Sequence, residues 1–441
     1  MKRIFYFFTL LLCIACTDDD TFSTSTGLRL DFSVDTLKLD TVFSRTSSST
    51  YTFWVYNRNS EGLRLQNVKL RRGNQSGYRV NVDGVYLDNA NGSQINDIEI
   101  RRNDSILVFV ELTAPDTYQQ EPVVVEDDLL FTLESGVEQK VLLHSWVWNA
   151  IKLYSPVITN DSVFDSRVPY IIYGDLQIKE GATLTIRNTS LFFHDASGIE
   201  VYGSLNTENC LMRGDRLDHM FSYLPYDRVS GQWNGVHMHS SSLHNKLINT
   251  EIRNAVQGII CDSTAIDSLD YRLLMQRCVV HNCEGDGIRS SHANIRLEDC
   301  QITNTQGDCL CIHGGMAELS YCTLAQFYPF SADRGAALRF TNASPLVCLN
   351  AEGLILTGYA DDVLMGTQLH ATNDFNFSFR HCLLRTPSIA DDSVHFNDII
   401  WETPQDSFQG KDHFVLIDEE NLIYDFHLNQ KSPAIGLGCY R

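Results

Sequence analysis

The chain has no excess of basic charge, little proline and no long apolar run past its first residues, and each shortage excludes something. Its 441 residues carry 34 Lys+Arg against 55 Asp+Glu, a formal charge of −21. A surface of that sign repels phosphate backbones and anionic lipid. Nucleic acid is therefore excluded as a partner, and a membrane can hold the chain only through an anchor. After residue 15 no segment supplies the ~20 apolar residues of a spanning helix. Ten prolines, 10% aromatic and 43% hydrophobic residues leave room for disorder only in a short tether, with apolar material for two cores. Beyond residue 16 no two cysteines stand at C-x-x-C spacing, which argues against a thiolate metal site. A nucleophile elbow, a phosphate loop and a dinucleotide fingerprint are all missing. Oligomeric state is not legible.

What is there begins with Met1-Lys2-Arg3 and an apolar stretch from Ile4 to Ala15, the layout of a signal peptide over residues 1–15. Cys13-Ile14-Ala15-Cys16 resembles a bacterial lipobox, with Cys13 where Leu is usual. The resemblance implies lipidation of Cys16 and a Thr/Ser-rich tether over 16–27. Thr17-Asp18-Asp19-Asp20 resembles the surface-export signal of Bacteroidetes-type lipoproteins, which implies an outer-membrane, cell-surface location. Loss of Lys2 and Arg3 with the signal peptide takes the charge from −21 to −23.

Residues 28–150 alternate in strand-like runs (28–32, 51–56, 78–82, 105–110, 139–143) separated by turn signals such as Asn91-Gly92 and Ser135-Gly136, with no helical stretch. Period-two alternation at that spacing predicts a β-sandwich. The pattern resembles immunoglobulin-like modules of bacterial surface proteins and implies a spacer or adhesion module.

From residue 152 the texture shifts to short β-runs punctuated by Gly and Asn. Cys278, Cys300 and Cys322 recur 22 residues apart, each followed by strand residues and, at 282 and 304, by Asn. Residues 249–254 fit as the preceding turn and 381–385 as a later one. A 22-residue repeat without a helix cannot bury its apolar face alone, but coils stacked about 4.8 Å apart bury it jointly. The predicted fold is all-β: the sandwich, then a right-handed parallel β-helix over 152–441. Residues 155–441 resemble the pectin-lyase-like superfamily, and Asp425–Gly436 resembles a closing motif of secreted β-helix proteins. The whole, with residues 213–218 and 231–235, resembles Bacteroidetes surface lipoproteins of that fold.

Eleven cysteines remain after Cys13 and Cys16, an odd number for the disulfides expected of an exported protein. The 22-residue spacing instead predicts Cys278, Cys300 and Cys322 as an inward stack of reduced thiols, capped by Thr250. Ser at Cys300 would then bring a hydroxyl with no assured partner.

Candidate chemistry sits in three places. Asp286 and Asp308 follow the aligned Asn residues by four, so they neighbour each other on adjacent coils, with His313 beyond. Such a pair suits acid–base catalysis or a divalent cation, and a Gly-Asp before an inward Ile is also an ordinary coil turn. Residues 306–312 resemble part of the polygalacturonase pattern, but Cys309 stands where that family has its second Asp. His237 and His239 share one face of a strand and can hold a metal ion or stand as a plain exposed face. The segment 213–234 interrupts the repeat with Arg213, Asp215, Arg216, Tyr223, Tyr226 and Trp233. Aromatics mixed with Arg and Asp on such a loop suit sugar binding. The same composition also suits a loop that folds back over the core with internal Arg–Asp pairs.

The sequence points to a lipid-anchored surface β-helix that binds a glycan or an envelope partner without catalysis and without an obligate cofactor. The rival is a polysaccharide lyase or glycoside hydrolase on the same scaffold, and the third possibility a structural or adhesive component. Fold alone does not choose among them.

Overall fold

A computed structural model describes residues 21–266, 270–389 and 391–440. The expected signal peptide, the Cys16 expected to carry lipid and the start of the expected tether lie outside the described residues. The chain divides into two compact units, Met1–Asn149 and Ala150–Arg441.

The first unit is a sandwich. Tyr51–Asn57, Asp104–Leu112 and Tyr78–Val82 lie side by side in one sheet, and Glu138–Trp148, Val123–Leu133 and Leu63–Leu70 in the other. These strands pair antiparallel, while the short Thr36–Lys38 and Val42–Phe43 run parallel to Glu138–Trp148. Alternation decides the faces: in Tyr51–Asn57, Phe53 and Val55 point in and Trp54 points out. Phe53, Val55, Val108, Leu65, Phe131 and Leu143 then join a single core.

The second unit is a parallel β-helix whose coils cross three faces. In one coil these are Tyr170–Tyr173 on the first face, Leu176–Ile178 on the second and Thr183–Arg187 on the third. The next coil answers with Ser190–Phe193, Gly198–Val201 and Ser204–Gly214, each pairing parallel with the strand before it. Val279 pairs with Gln301 and Gln301 with Thr323, a rise of one coil for each 22 residues. The interior is one continuous apolar column from Ile158 to Leu384.

The bend from third to first face explains the cysteines. It turns on one residue with positive φ: Asn209 (52°), Asn249 (45°), Arg277 (52°), Asp299 (51°), Tyr321 (50°) and His381 (52°). The next residue points inward and is small in most coils: Cys210, Thr250, Cys278, Cys300, Cys322 and Cys382 are all buried, and the coil that bends at Gly353 (67°) puts a larger residue, Leu354, in the row. The row thus runs past Thr250 to Cys210 and on to Cys382. Every cysteine from 210 to 439 is a free thiol. Cys300 Sγ lies 3.2 Å from the Glu298 carbonyl and Thr250 Oγ1 2.9 Å from the Ile248 carbonyl, the same acceptor two residues back. That corrects the expectation for Ser at Cys300, because a hydroxyl there finds this carbonyl as its partner. Cys309 joins the core column, whereas Cys311 lies outside it with Sγ 3.3 Å from His313 Nε2.

A second ladder marks the bend from first to second face. Asn254, Asn282 and Asn304 have φ of 62°, 57° and 55°, and Asn282 Nδ2 donates to Asn254 Oδ1 at 2.9 Å. The last residues fold back over the outside of the first face. The hairpin Phe414–Asp418 with Ile423–Leu428 packs there through Phe414 and Phe426, joined by Leu437 from the residues after it, in one cluster with Phe327, Ile355 and Leu383. Gly438 donates to the Gly353 carbonyl and Tyr440 Oη to Gln301 Oε1.

Candidate functional site

Where the returning C-terminal segment leaves the first face uncovered, a cavity of about 410 Å³ opens. Its floor is Glu251, Arg253, Val279 and His281, outward positions of successive coils. One wall is Asp227 and Arg228 from the loop at 213–234, the other Ile423–His427 with Tyr440 at the rim. Arg228 Nη1 donates to the Asn421 carbonyl, joining the two walls.

The polar groups of this cleft are ordered by Arg253. Its Nη1 lies 3.2 Å from Asp227 Oδ1, and its Nε lies 3.1 Å from Glu251 Oε1 without the direction of a hydrogen bond. Tyr424 Oη is also buried with no hydrogen-bond partner. His281 Nδ1 is 2.8 Å from Thr303 Oγ1, and its ring faces those of Tyr424 and Phe426. Burial, aided by the Arg253 charge and opposed by Asp227, pushes the His281 pKa down to about 4, so the imidazole is neutral at neutral pH. His427 stacks on Tyr440 at 4.1 Å between ring centres, and its Nδ1 meets Asp425 Oδ1 at 2.7 Å. The Asp425 carboxyl is held below its ordinary value chiefly by the His427 backbone N–H.

Of the residues expected in a sugar-binding loop, most are used to build it. Trp233 is 0% exposed and stacks on Phe193 at 4.2 Å, with Nε1 donating to the Arg253 carbonyl. This corrects its assignment as a ligand platform, since the ring lies wholly in the apolar core. Arg213 is buried, bonded to Asp227 and to the Arg216 carbonyl. Arg216 pairs with Asp218 and lies 4.0 Å over the Tyr226 ring, and Asp215 meets His194 Nδ1 at 2.8 Å. Tyr223 alone of the six stands well out into solvent, at 78% exposed, against Phe221. The loop's contribution to the cleft is Asp227 and Arg228.

Asp286 and Asp308 are neighbours on adjacent coils, yet all four carboxylate oxygens are engaged. Asp286 accepts from the Asp308 backbone N–H at 2.8 Å and from Arg289 Nε at 2.7 Å. Asp308 does the same with Ala336 N at 2.7 Å and Arg339 Nε at 2.6 Å. Each clamps its coil to the next, which replaces the acid–base role considered for them. His313 sits beyond, Nδ1 3.1 Å from Thr341 Oγ1, with its pKa lowered first by burial.

His237 and His239 project outward from Gly235–Met238 and its end, on the second face. Gly235 has φ +88°, and a Cβ there would lie 1.6 Å from the Gln257 carbonyl oxygen, so only glycine lets the coils meet at the start of this strand. The register sets Glu200 beside His237, and Asp262 follows the strand above. His237 Nε2 is 3.1 Å from Asp262 Oδ1 and Nδ1 3.5 Å from Glu200 Oε2, while His239 Nε2 contacts Glu200 Oε2.

Among known proteins, no curated protein matches the chain. A family 123 glycoside hydrolase from Clostridium perfringens, studied for glycolipid glycan hydrolysis, is similar over 29% of this chain and 30% of its own, at 9% identity and a TM-score of 0.19. This chain therefore spans under a third of that enzyme's length. The Agl-KA catalytic domain is similar over 80% of this chain and 73% of its own, at 12% identity and a TM-score of 0.32. Scores this low leave function untouched. A family model described as the right handed beta helix region matches residues 158–324. With the parallel register of its coils and this match together, the second unit is a right-handed parallel β-helix.

Proposed function

We propose that the chain is a lipid-anchored envelope protein that binds a glycan, without catalysis, in the cleft floored by Glu251, Arg253 and His281. The observation that carries this reading is the pair of buried donors without hydrogen-bond partners, Arg253 Nε and Tyr424 Oη, set among carboxylates and rings. Unmade hydrogen bonds in a buried site cost about 1–3 kcal/mol each, and a ligand oxygen recovers that. Sugar hydroxyls both donate and accept. Glu251 and Asp227 offer acceptors, Arg253 and Tyr424 donors, and the stacked His427–Tyr440 pair a flat apolar rim. Binding is favoured over hydrolysis because Asp227 and Glu251 both face the Arg253 guanidinium at ion-pair distance. An oligosaccharide array probed with the purified protein tests the reading. Arg253→Ala should weaken the best ligand about 10- to 100-fold, the loss of one charged hydrogen-bonding group. Release of new reducing or unsaturated ends would overturn it for a hydrolase or lyase, and retention of no glycan for a structural role.

The anchor rests on the Cys13–Cys16 box behind a basic and apolar start. Reduced cysteines are compatible with an exported chain here because nine of the eleven are buried away from oxidants. Cys16→Ala should move the protein from the membrane to the soluble fraction. Its retention after a carbonate wash would place the attachment elsewhere.

A further inference from the structure

We propose that Glu200, His237 and His239 bind one divalent transition-metal ion on the second face of the helix, with Asp262 orienting the imidazoles from the opposite side. One ligand atom from each of Glu200, His237 and His239 lies within 4.8 Å of the others. Metal–nitrogen and metal–oxygen bonds of about 2.0–2.2 Å place neighbouring ligand atoms roughly 3–3.5 Å apart. Glu200 Oε2 already lies 3.5 Å from His237 Nδ1 and touches His239 Nε2. A small movement of the carboxylate opens the space for an ion.

The second carboxylate gives the cluster its logic. Asp262 Oδ1 is 3.1 Å from His237 Nε2, and Oδ2 is 3.7 Å from His239 Nδ1. Each imidazole thus shows one nitrogen to Glu200 and the other to Asp262. That is the carboxylate–histidine–metal arrangement, in which an outer carboxylate fixes tautomer and ring orientation. His237 Nε2 is buried yet makes no well-directed hydrogen bond, so the protein's own hydrogen bonding does not account for the pose of this ring. The rings are held firmly: Tyr202 lies flat on His239, 4.0 Å away and 1° from parallel, and the two imidazoles are 4.0 Å apart. With neutral imidazoles the four groups carry two negative charges, which a dication balances. Two nitrogens and one carboxylate suit zinc, cobalt, nickel or ferrous iron, and not calcium or magnesium, which take oxygen ligands. The remaining positions face solvent and are open to water or a ligand donor.

The site is independent of the glycan cleft, which lies on the first face. Its test is titration of the full chain with zinc by calorimetry and with cobalt by absorption. One equivalent should bind, with cobalt d–d bands and no sulfur charge-transfer band, since the buried thiols take no part. Asp262→Asn should weaken zinc about 10- to 100-fold, and His237→Ala or His239→Ala should weaken it further. Circular dichroism of each variant reports that the coils are intact, and His239→Gln, which keeps bulk at that position, serves if the alanine form misfolds. Absence of binding at millimolar zinc, or equal binding by the His237→Ala/His239→Ala protein, would overturn the proposal.

Discussion

Replacing Glu402 with Gln should lower the stability of the helix unit by about 3–5 kcal/mol. Glu402 is 2% exposed and gathers three other segments of chain. Its Oε1 accepts from Arg385 Nη1 and, at 2.6 Å, from the Gly410 backbone N–H. Its Oε2 accepts from Thr357 Oγ1 at 2.9 Å and lies 3.2 Å from His413 Nε2. Arg385 is itself buried, and His413 is completely so and bonded to Ser432 Oγ at 2.8 Å. Gln keeps the shape, but it leaves the buried guanidinium with only the exposed Asp361, 3.0 Å from Nη2, as its charged partner, and turns an amide donor toward groups that are already donors. The loss is large because the buried side of the guanidinium loses its charged partner and keeps only a solvent-exposed one. Equilibrium denaturation in urea measures it, and a change under 1 kcal/mol would mean that the network relaxes into solvent.

The same carboxylate sets a pH dependence. Burial alone would raise its pKa, but the adjacent His413 ring and hydrogen bonds from Gly410 and Arg385 outweigh burial and hold it below 4.5. The stabilisation is therefore fully present above about pH 4.5 and is lost as pH falls through the depressed folded value. The gap between wild type and Glu402→Gln should be constant near neutrality and shrink in acid.

The second large effect is expected from Trp233→Ala, a loss of about 3–5 kcal/mol. The ring is fully buried against Phe193, and its truncation leaves a cavity where the loop rejoins the coils. It also leaves the Arg253 carbonyl without its indole donor, directly under the floor of the cleft. Glycan affinity should fall with stability. Trp233→Phe, which keeps a ring and loses the N–H, should recover most of the stability while the affinity defect persists in part. Thermal unfolding and glycan titration of both variants separate the effects. Equal stability of Trp233→Ala and wild type would contradict the packing described here.

The sequence by itself determined the coil. A one-residue bend in the left-handed region turns the next side chain inward, so Cys278, Cys300 and Cys322, set 22 residues apart, advertise the rise without any knowledge of distant contacts. The sandwich was legible for a similar reason, since alternation in runs such as residues 51–56 is imposed locally by the pleat. The paired histidines were legible as far as sharing a face, because i and i+2 on a strand always do.

Tertiary structure decided the rest. Glu200 and Asp262 reach His237 and His239 only through register across coils interrupted by loops of unequal length. The cleft joins Asp227, Glu251, Arg253, His281 and Tyr424, drawn from a loop, two coils and the returning C-terminal segment. Nothing in local spacing encodes where that segment lands. Trp233 looked like a ligand platform because its neighbours are polar, and it is core because Phe193 of the preceding coil lies against it. Local patterning fixes which way a side chain points, and only stacking and the fold-back fix what it meets.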